Sequence, residues 1–158
     1  MNWQEVCDHP SLQNLPFKIE LDERGKIIMS PVRVSHSAYH GEISYLLRSM
    51  LRTGKTLPEC AIRTCKGTKV ADVAWASQKR FEKIIHEVEC SVAPEICIEV
   101  MSPSNTEDEI TEKKLLYFES GAEEVWICET GGKIKFYAPG KEIHRSLLAP
   151  EFPQNIIL

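Results

Sequence analysis

PEICIEVMSPS, residues 94–104, reads as a buried strand running into a turn, with a carboxylate, Glu99, in its middle. At a period of two, Ile96, Ile98 and Val100 fall on one face, and Cys97, Glu99 and Met101 on the other. Both faces are mostly apolar, which predicts a central strand covered on both sides. A carboxylate there costs free energy unless it is paired, hydrogen-bonded or bound to a metal.

Downstream, NTEDEITEKKLLYFESG (105–121) predicts a helix capped by Asn105 or Thr106, with acids in its first turn and Gly121 as its stop. EEVWICE (123–129) is a strand, so residues 95–129 form a crossover between parallel strands. KIKFYAP (133–139) is another strand, after the Gly131–Gly132 turn. Upstream, FKIELDERGKIIMSP (17–31) predicts two strands around a turn at 22–25. A helix follows, with Ser35 as N-cap, an apolar stripe of Ala38, Ile43, Leu46, Leu47, Met50 and Leu51, and Gly54 at its end. TLPECAIRT (56–64) and KVADVAWAS (69–77) are strands joined by a turn at 66–68, and 77–88 is a short surface helix or loop. This order predicts an α/β domain with a mixed central sheet and helices on its faces.

At 158 residues the chain predicts a single domain, 1–158, with a helical lead-in at 1–16 that packs on the body. Hydrophobic residues make up 42% and charged residues 27%, enough for a real core. A net charge of -4 argues against nucleic-acid binding driven by bulk charge, though not against a local patch. No apolar run is long enough to span a bilayer, and MNWQEVCDHP lacks the pattern of a signal peptide, so a cytoplasmic location is expected. The six cysteines form no CxxC pair and read as reduced thiols in strands. Cys60 and Cys65 are close enough in sequence to share a metal, but no second pair supports that.

Asp72 repeats the problem of Glu99, lying among Val70, Ala71, Val73, Ala74 and Trp75. If the two strands are neighbours, both carboxylates can share a hard cation such as Mg²⁺, which prefers oxygen ligands. The alternative is that each acid caps backbone or pairs with Arg or Lys. Two acids in comparable settings shift the balance toward a site. In the helix after Glu99, at about 100° per residue, Lys113 falls on the inward stripe of Ile110 and Tyr117. It either snorkels or reaches the carboxylates. Lys114 falls at the stripe's margin, with Leu115 and Leu116 on its flanks.

An acid in one strand, an acid in the next and then a lysine resemble the PD-(D/E)XK nuclease superfamily. More closely, FKIELDERGKIIMSP, SHSAYHGEISYLLRSML, KVADVAWAS, IEVMSPSN, KKLLYFESGAEEVWICE and LLAPEFP resemble the Uma-two family of restriction endonucleases, in order and spacing, from about residue 17. The resemblance implies a restriction-endonuclease-like fold and an Mg²⁺-dependent endonuclease (Mn²⁺ able to substitute) acting on DNA. Asp72 and Glu99 would be metal-binding acids, with the Val100 carbonyl as a further ligand. Ala71 stands in place of the superfamily's proline, and Met101 in place of its lysine. The family pattern moves that lysine to Lys113, where helical periodicity also puts one. Glu20 matches an acid of the family's first strand, where it completes the metal site or orients the water. His36 matches a family histidine that contacts phosphate or stabilises the helix start. Glu109 stands where the family has aspartate, either bonding near the site or favouring the helix N-terminus.

His36 and His40, four apart, lack a third metal ligand. Glu42 reads as a solvated helix residue, and Ser102, Ser104 and Asn105 as helix-capping groups rather than nucleophiles. Lys66, Lys69, Lys79, Arg80, Lys114 and Lys133 form either a basic rim or scattered solvated charges. A homodimer is expected, because cutting both strands of a duplex needs two sites. The competing reading is a catalytically inactive nuclease fold used as a nucleic-acid-binding or regulatory module, favoured by the missing lysine after Glu99.

Overall fold

The computed structural model describes residues 1–158. The strand whose two faces are apolar, β5 (Ile96–Val100), lies inside a six-stranded mixed sheet. The sheet order is β3 (Lys55–Thr64), β4 (Gly67–Ala76), β5, β6 (Glu124–Cys128), β7 (Ile134–Ala138) and β8 (Lys141–Ile143). β5 and β6 pair in parallel and every other neighbouring pair is antiparallel. The predicted parallel pair is therefore present, joined by α4 (Glu107–Glu119). β1 (Phe17–Leu21) and β2 (Ile27–Pro31) form a separate hairpin.

The two faces of β5 bury into two cores. Ile96, Ile98 and Val100 pack with Val73, Trp75, Trp126 and Phe136, beneath Ile43 and Leu47 of α2 (Val34–Met50). Cys97 packs with Ala74, Ala76, Val125 and Ile127, beneath Ile110 and Tyr117 of α4 and Ile84 of α3 (Gln78–Ile84). The result is three layers, helix–sheet–helix, as the two apolar faces of one strand require. The tail closes the first core, with the Phe152 ring 4.6 Å from Trp126. The lead-in contributes α1 (Trp3–Asp8), whose Val6 is buried, and the N-terminal amine donates to the Gly25 carbonyl at the hairpin turn.

Local details depart from expectation in several places. The first bond of α2 runs from Ser37 N to Arg33 O, so Arg33 is the N-cap and Ser35 lies inside the first turn. Ala38 and Met50 are exposed, which narrows the inward stripe. The helix stops at Leu51, and Gly54 lies three residues further on. There it takes φ +73°, and a Cβ would lie 2.3 Å from the Ala76 carbonyl, so glycine is required where the chain turns under β4. Thr106 caps α4 through a capping box with Glu109. Leu115 is exposed while Leu116 is buried. β8 is too short and too charged to show an alternating signal. All six cysteines are free, and only Cys60, Cys97 and Cys128 lie in strands. Cys60 Sγ faces Cys90 Sγ at 3.5 Å, so its neighbour is Cys90 and not Cys65. No helix is long and apolar enough to cross a membrane.

Candidate active site

The site forms where β4 parts from β5. Their ladder runs through Trp75–Ile96, Ala74–Cys97 and Val73–Ile98 and ends there. Asp72 and Glu99 occupy the next position on each strand. Instead of a ladder bond, Val100 N–H donates to Asp72 Oδ2 at 2.7 Å. On the other side the β3–β4 register passes from Pro58–Val73 to Cys60–Ala71 and leaves Asp72 unpaired, and Glu59 of β3 takes φ +51°, a left-handed conformation uncommon outside glycine. Freed from β5, the first half of β4 runs beneath the β1–β2 hairpin. Gly67, at φ +87°, lets the chain approach the hairpin, since a Cβ would lie 2.3 Å from the Leu21 and Asp22 carbonyls. Lys69 Nζ donates to Leu21 O, and Val70 N–H to Glu20 Oε2 at 2.8 Å.

Strand alternation puts Lys18 and Glu20 on one face of β1, over the carboxylates. Lys18 Nζ lies 3.0 Å from Asp72 Oδ1 and 3.3 Å from Glu99 Oε2. Lys113, from the inner stripe of α4, lies 2.9 Å from Glu20 Oε1 and 3.4 Å from Glu99 Oε1. Tyr117, one turn on, donates to Glu99 Oε1 at 2.5 Å. His36 Nε2, in the first turn of α2, is 3.3 Å from Asp72 Oδ2. Three carboxylates thus face two ammonium groups at the wall of an open cleft of about 450 Å³.

Burial pushes the Asp72 carboxyl up, but Lys18 and the His36 hydrogen bond outweigh it and hold the group far below its usual range. Lys113 and Lys18 likewise bring Glu20 down against its burial. For Glu99 burial wins, helped by Asp72 and Glu20, and the carboxyl is raised. Burial lowers the Lys18 ammonium, but Glu99 and Asp72 raise it further, so it stays charged. The carboxyls of two adjacent strands are pushed in opposite directions, a pattern found where titratable groups share a site.

Asp72, Glu99, Glu20 and Lys113 are therefore brought together, with Val100 beside them. Lys113 reaches the carboxylates rather than snorkelling. His36 is also at the site, through Asp72. His40 stacks on His36 at 6.4 Å with no third ligand, and its buried Nε2 has no partner. Glu42 stands apart from the cleft. Glu109 lines the cleft, but its carboxylate is bonded to Thr106 N–H in the capping box. Asn105 accepts from Ser102 N–H in the turn before α4. The basic rim does not form from the expected residues. Lys66 pairs with Glu112, Lys114 lies over the Tyr137 ring, and Arg80 bonds the Ala93 carbonyl. Of that group only Lys69 lines the cleft, and exposed Arg33 lines it as well.

Two groups escaped the sequence reading. Tyr117 was legible as an inward residue but not as a donor to Glu99. Lys18 gave no signal, because a lysine two residues from an acid in a strand next to a turn looks solvated. As the side chains stand, no three of the His, Cys, Asp and Glu groups converge to hold a metal. The carboxylate oxygens nonetheless fit a hard cation, and those of Asp72 and Glu99 already converge on one cation, the Lys18 ammonium.

Comparison with curated protein sequences returned no match. Among solved structures, the chain is similar to one described as "a putative nuclease belonging to DUF820" from Anabaena variabilis ATCC 29413. The TM-score is 0.76 at 20% identity, covering 98% of this chain and 94% of that one, so the two share a fold. A family described as "Putative restriction endonuclease", Uma2, matches residues 3–157. With nearly its whole length matched, the chain belongs to the Uma2 family.

Proposed function

We propose that the protein is a divalent-metal-dependent endonuclease that hydrolyses phosphodiester bonds in DNA. One observation carries this reading: carboxylates from two adjacent strands, Asp72 and Glu99, converge on a single cation at the wall of an open cleft. Asp72 and Glu99, with the Val100 carbonyl, would hold Mg²⁺, and Mn²⁺ can substitute. When bound, the ion supplies charge neutralisation at the scissile phosphate and a more acidic water. Lys113 would hold that water or meet charge developing on the phosphate, a role supported by its ammonium lying between Glu20 and Glu99. Glu20 fixes Lys113 and is itself fixed by the Val70 amide. Val100 N–H and His36 orient the Asp72 carboxylate. Duplex cleavage by one site per chain calls for two copies. Exposed apolar residues of the lead-in and tail, Leu15, Ile157 and Leu158, are available for a homodimer contact.

The test is incubation of wild type, Asp72→Ala and Glu99→Gln with supercoiled, linear and single-stranded DNA, with Mg²⁺ or a chelator, alongside calorimetric metal titration. Metal-dependent nicking in wild type, lost in both variants, is the expected result. Cleavage that survives the chelator would refute metal dependence. A second reading, a nuclease fold that binds nucleic acid without turnover, is favoured by Lys18 lying between the two acids. DNA binding and metal binding without cleavage of any substrate would support it instead.

A further inference from the structure

Lys18 is the one group that joins the carboxylates of β4 and β5. Lys113 reaches Glu99 and Glu20, and His36 reaches Asp72, but only Lys18 contacts both Asp72 and Glu99. Its ammonium is a compact charge on a flexible four-carbon stem. It lies within 3.3 Å of both carboxylates, so a divalent ion shared by those two acids would compete with it for the same oxygens.

We propose that Lys18 is a built-in competitor of the divalent cation: its ammonium holds Asp72 and Glu99 together in the metal-free protein and swings out when the metal enters. The inference rests on the reading that these two acids bind a metal. Three observations carry it. The first is charge balance. With His36 neutral, the three carboxylates Glu20, Asp72 and Glu99 face two lysines, which leaves one negative charge. A divalent ion added beside both lysines would turn the cluster positive, whereas with Lys18 withdrawn it becomes neutral. The second is an exit. The Lys18 side chain is 17% exposed and lines the cleft, so solvent lies beside the path its ammonium would take. The third is its attachment. Lys18 belongs to a two-stranded hairpin outside the main sheet, whereas the two acids are fixed in central strands. Lys113 keeps Glu20 at 2.9 Å, so it is not stranded when Glu99 turns to a metal.

The experiment is a titration of Mn²⁺ into wild type, Lys18→Met, Lys18→Gln, Lys18→Arg and Asp72→Ala. Free Mn²⁺ is followed by its paramagnetic resonance signal, and thermal unfolding is recorded with and without the metal. Lys18→Met and Lys18→Gln should bind Mn²⁺ at least about 10-fold more tightly than wild type, and Lys18→Arg no more tightly. Without metal, Lys18→Met should melt below wild type, since two buried acids lose their counter-charge. Mn²⁺ should then raise its melting temperature more than that of wild type. Lys18→Gln keeps a neutral donor and reads the same effect if the methionine variant folds poorly. Unchanged or weaker affinity in both neutral variants, with binding still abolished in Asp72→Ala, would overturn the role of Lys18 and leave the carboxylate site standing. No Mn²⁺ binding in any of the proteins would overturn the metal site itself.

Discussion

Glu124, at the start of β6, and the Asp72–Glu99 pair, where β4 and β5 diverge, are equally buried, with 2%, 3% and 3% exposure. Their partners differ. Glu124 Oε2 accepts from Trp126 Nε1 at 2.8 Å and Ser146 Oγ at 2.6 Å, and its Oε1 from the amides of Leu147 and Leu148 at 2.7 and 3.1 Å. All four donors are neutral, and two belong to backbone that cannot leave without unfolding the tail. Asp72 and Glu99 each accept from one neutral donor, Val100 N–H and Tyr117 O–H, but their other partners are the side chains of Lys18, Lys113 and His36 beside an open cleft. A buried carboxylate is thus no sign of chemistry by itself. It becomes a candidate where its counter-charge can be exchanged.

The strongest way to break this comparison is to remove one acid of the pair. Asp72→Ala should lower metal-dependent DNA nicking by roughly 10²- to 10³-fold, the scale of losing one electrostatic contact at a reacting centre. Rates measured on folded protein would check this, and cleavage at the wild-type rate would move Asp72 out of the chemistry. The matching change at the other site, Glu124→Ala, strands four donors. It should cost about 3 kcal/mol and lower the melting temperature by roughly 6–12 °C, with nicking per folded molecule unchanged. Calorimetry and the same nicking assay decide it. A fall in activity equal to that of Asp72→Ala would erase the distinction between the two regions.

The sequence carried most of this architecture because β5 is a short run apolar on both faces, broken only by Glu99. That pattern located Glu99 and made its strand central, and the strand–helix–strand order over 95–129 predicted the parallel partner. Asp72 followed from the same argument, and Lys113 from helical periodicity. The remainder depends on tertiary placement. Lys18 lies in a strand pair whose residues look half-solvated, and only the docking of the hairpin over β4 brings it to the acids. Glu124 was unremarkable in sequence because three of its four donors come from 22 to 24 residues downstream. Glu109 stands three residues after Thr106, the spacing of a capping box, and its carboxylate is used there rather than at the site. The helix start at Arg33 escaped because Ser35 is the better capping residue, yet the backbone turns helical before reaching it.

A smaller effect is expected from Tyr117→Phe. The Tyr117 hydroxyl is the one neutral side-chain donor to Glu99, the feature the pair shares with Glu124. Its loss should cost about 1 kcal/mol in a denaturant titration and leave both lysine contacts in place. A loss as large as that of Glu124→Ala would mean that Glu99 too is held chiefly by neutral dipoles.

The smallest effect concerns the hairpin that carries Lys18 and Glu20. Asp22 Oδ1 accepts from the amides of Arg24 and Lys26, both at 2.8 Å, and so closes the turn between β1 and β2. The Lys26 amide above all holds the Asp22 carboxyl below its ordinary value of 3.8. A carboxyl lowered in the folded state contributes stability that is present above the unfolded value and lost as pH falls through the folded one. Asp22→Ala should therefore melt slightly below wild type at neutral pH, and the gap should close in acid, below the ordinary carboxylate value. Amide exchange should quicken in the hairpin and stay unchanged around Glu124, whose donors are remote from that turn. Equal quickening at both places would mean that the hairpin and the tail open together. The Lys18 side of the site would then be no more mobile than the fixed cage of Glu124, and the contrast between exchangeable and permanent partners would fail where it matters for the chemistry.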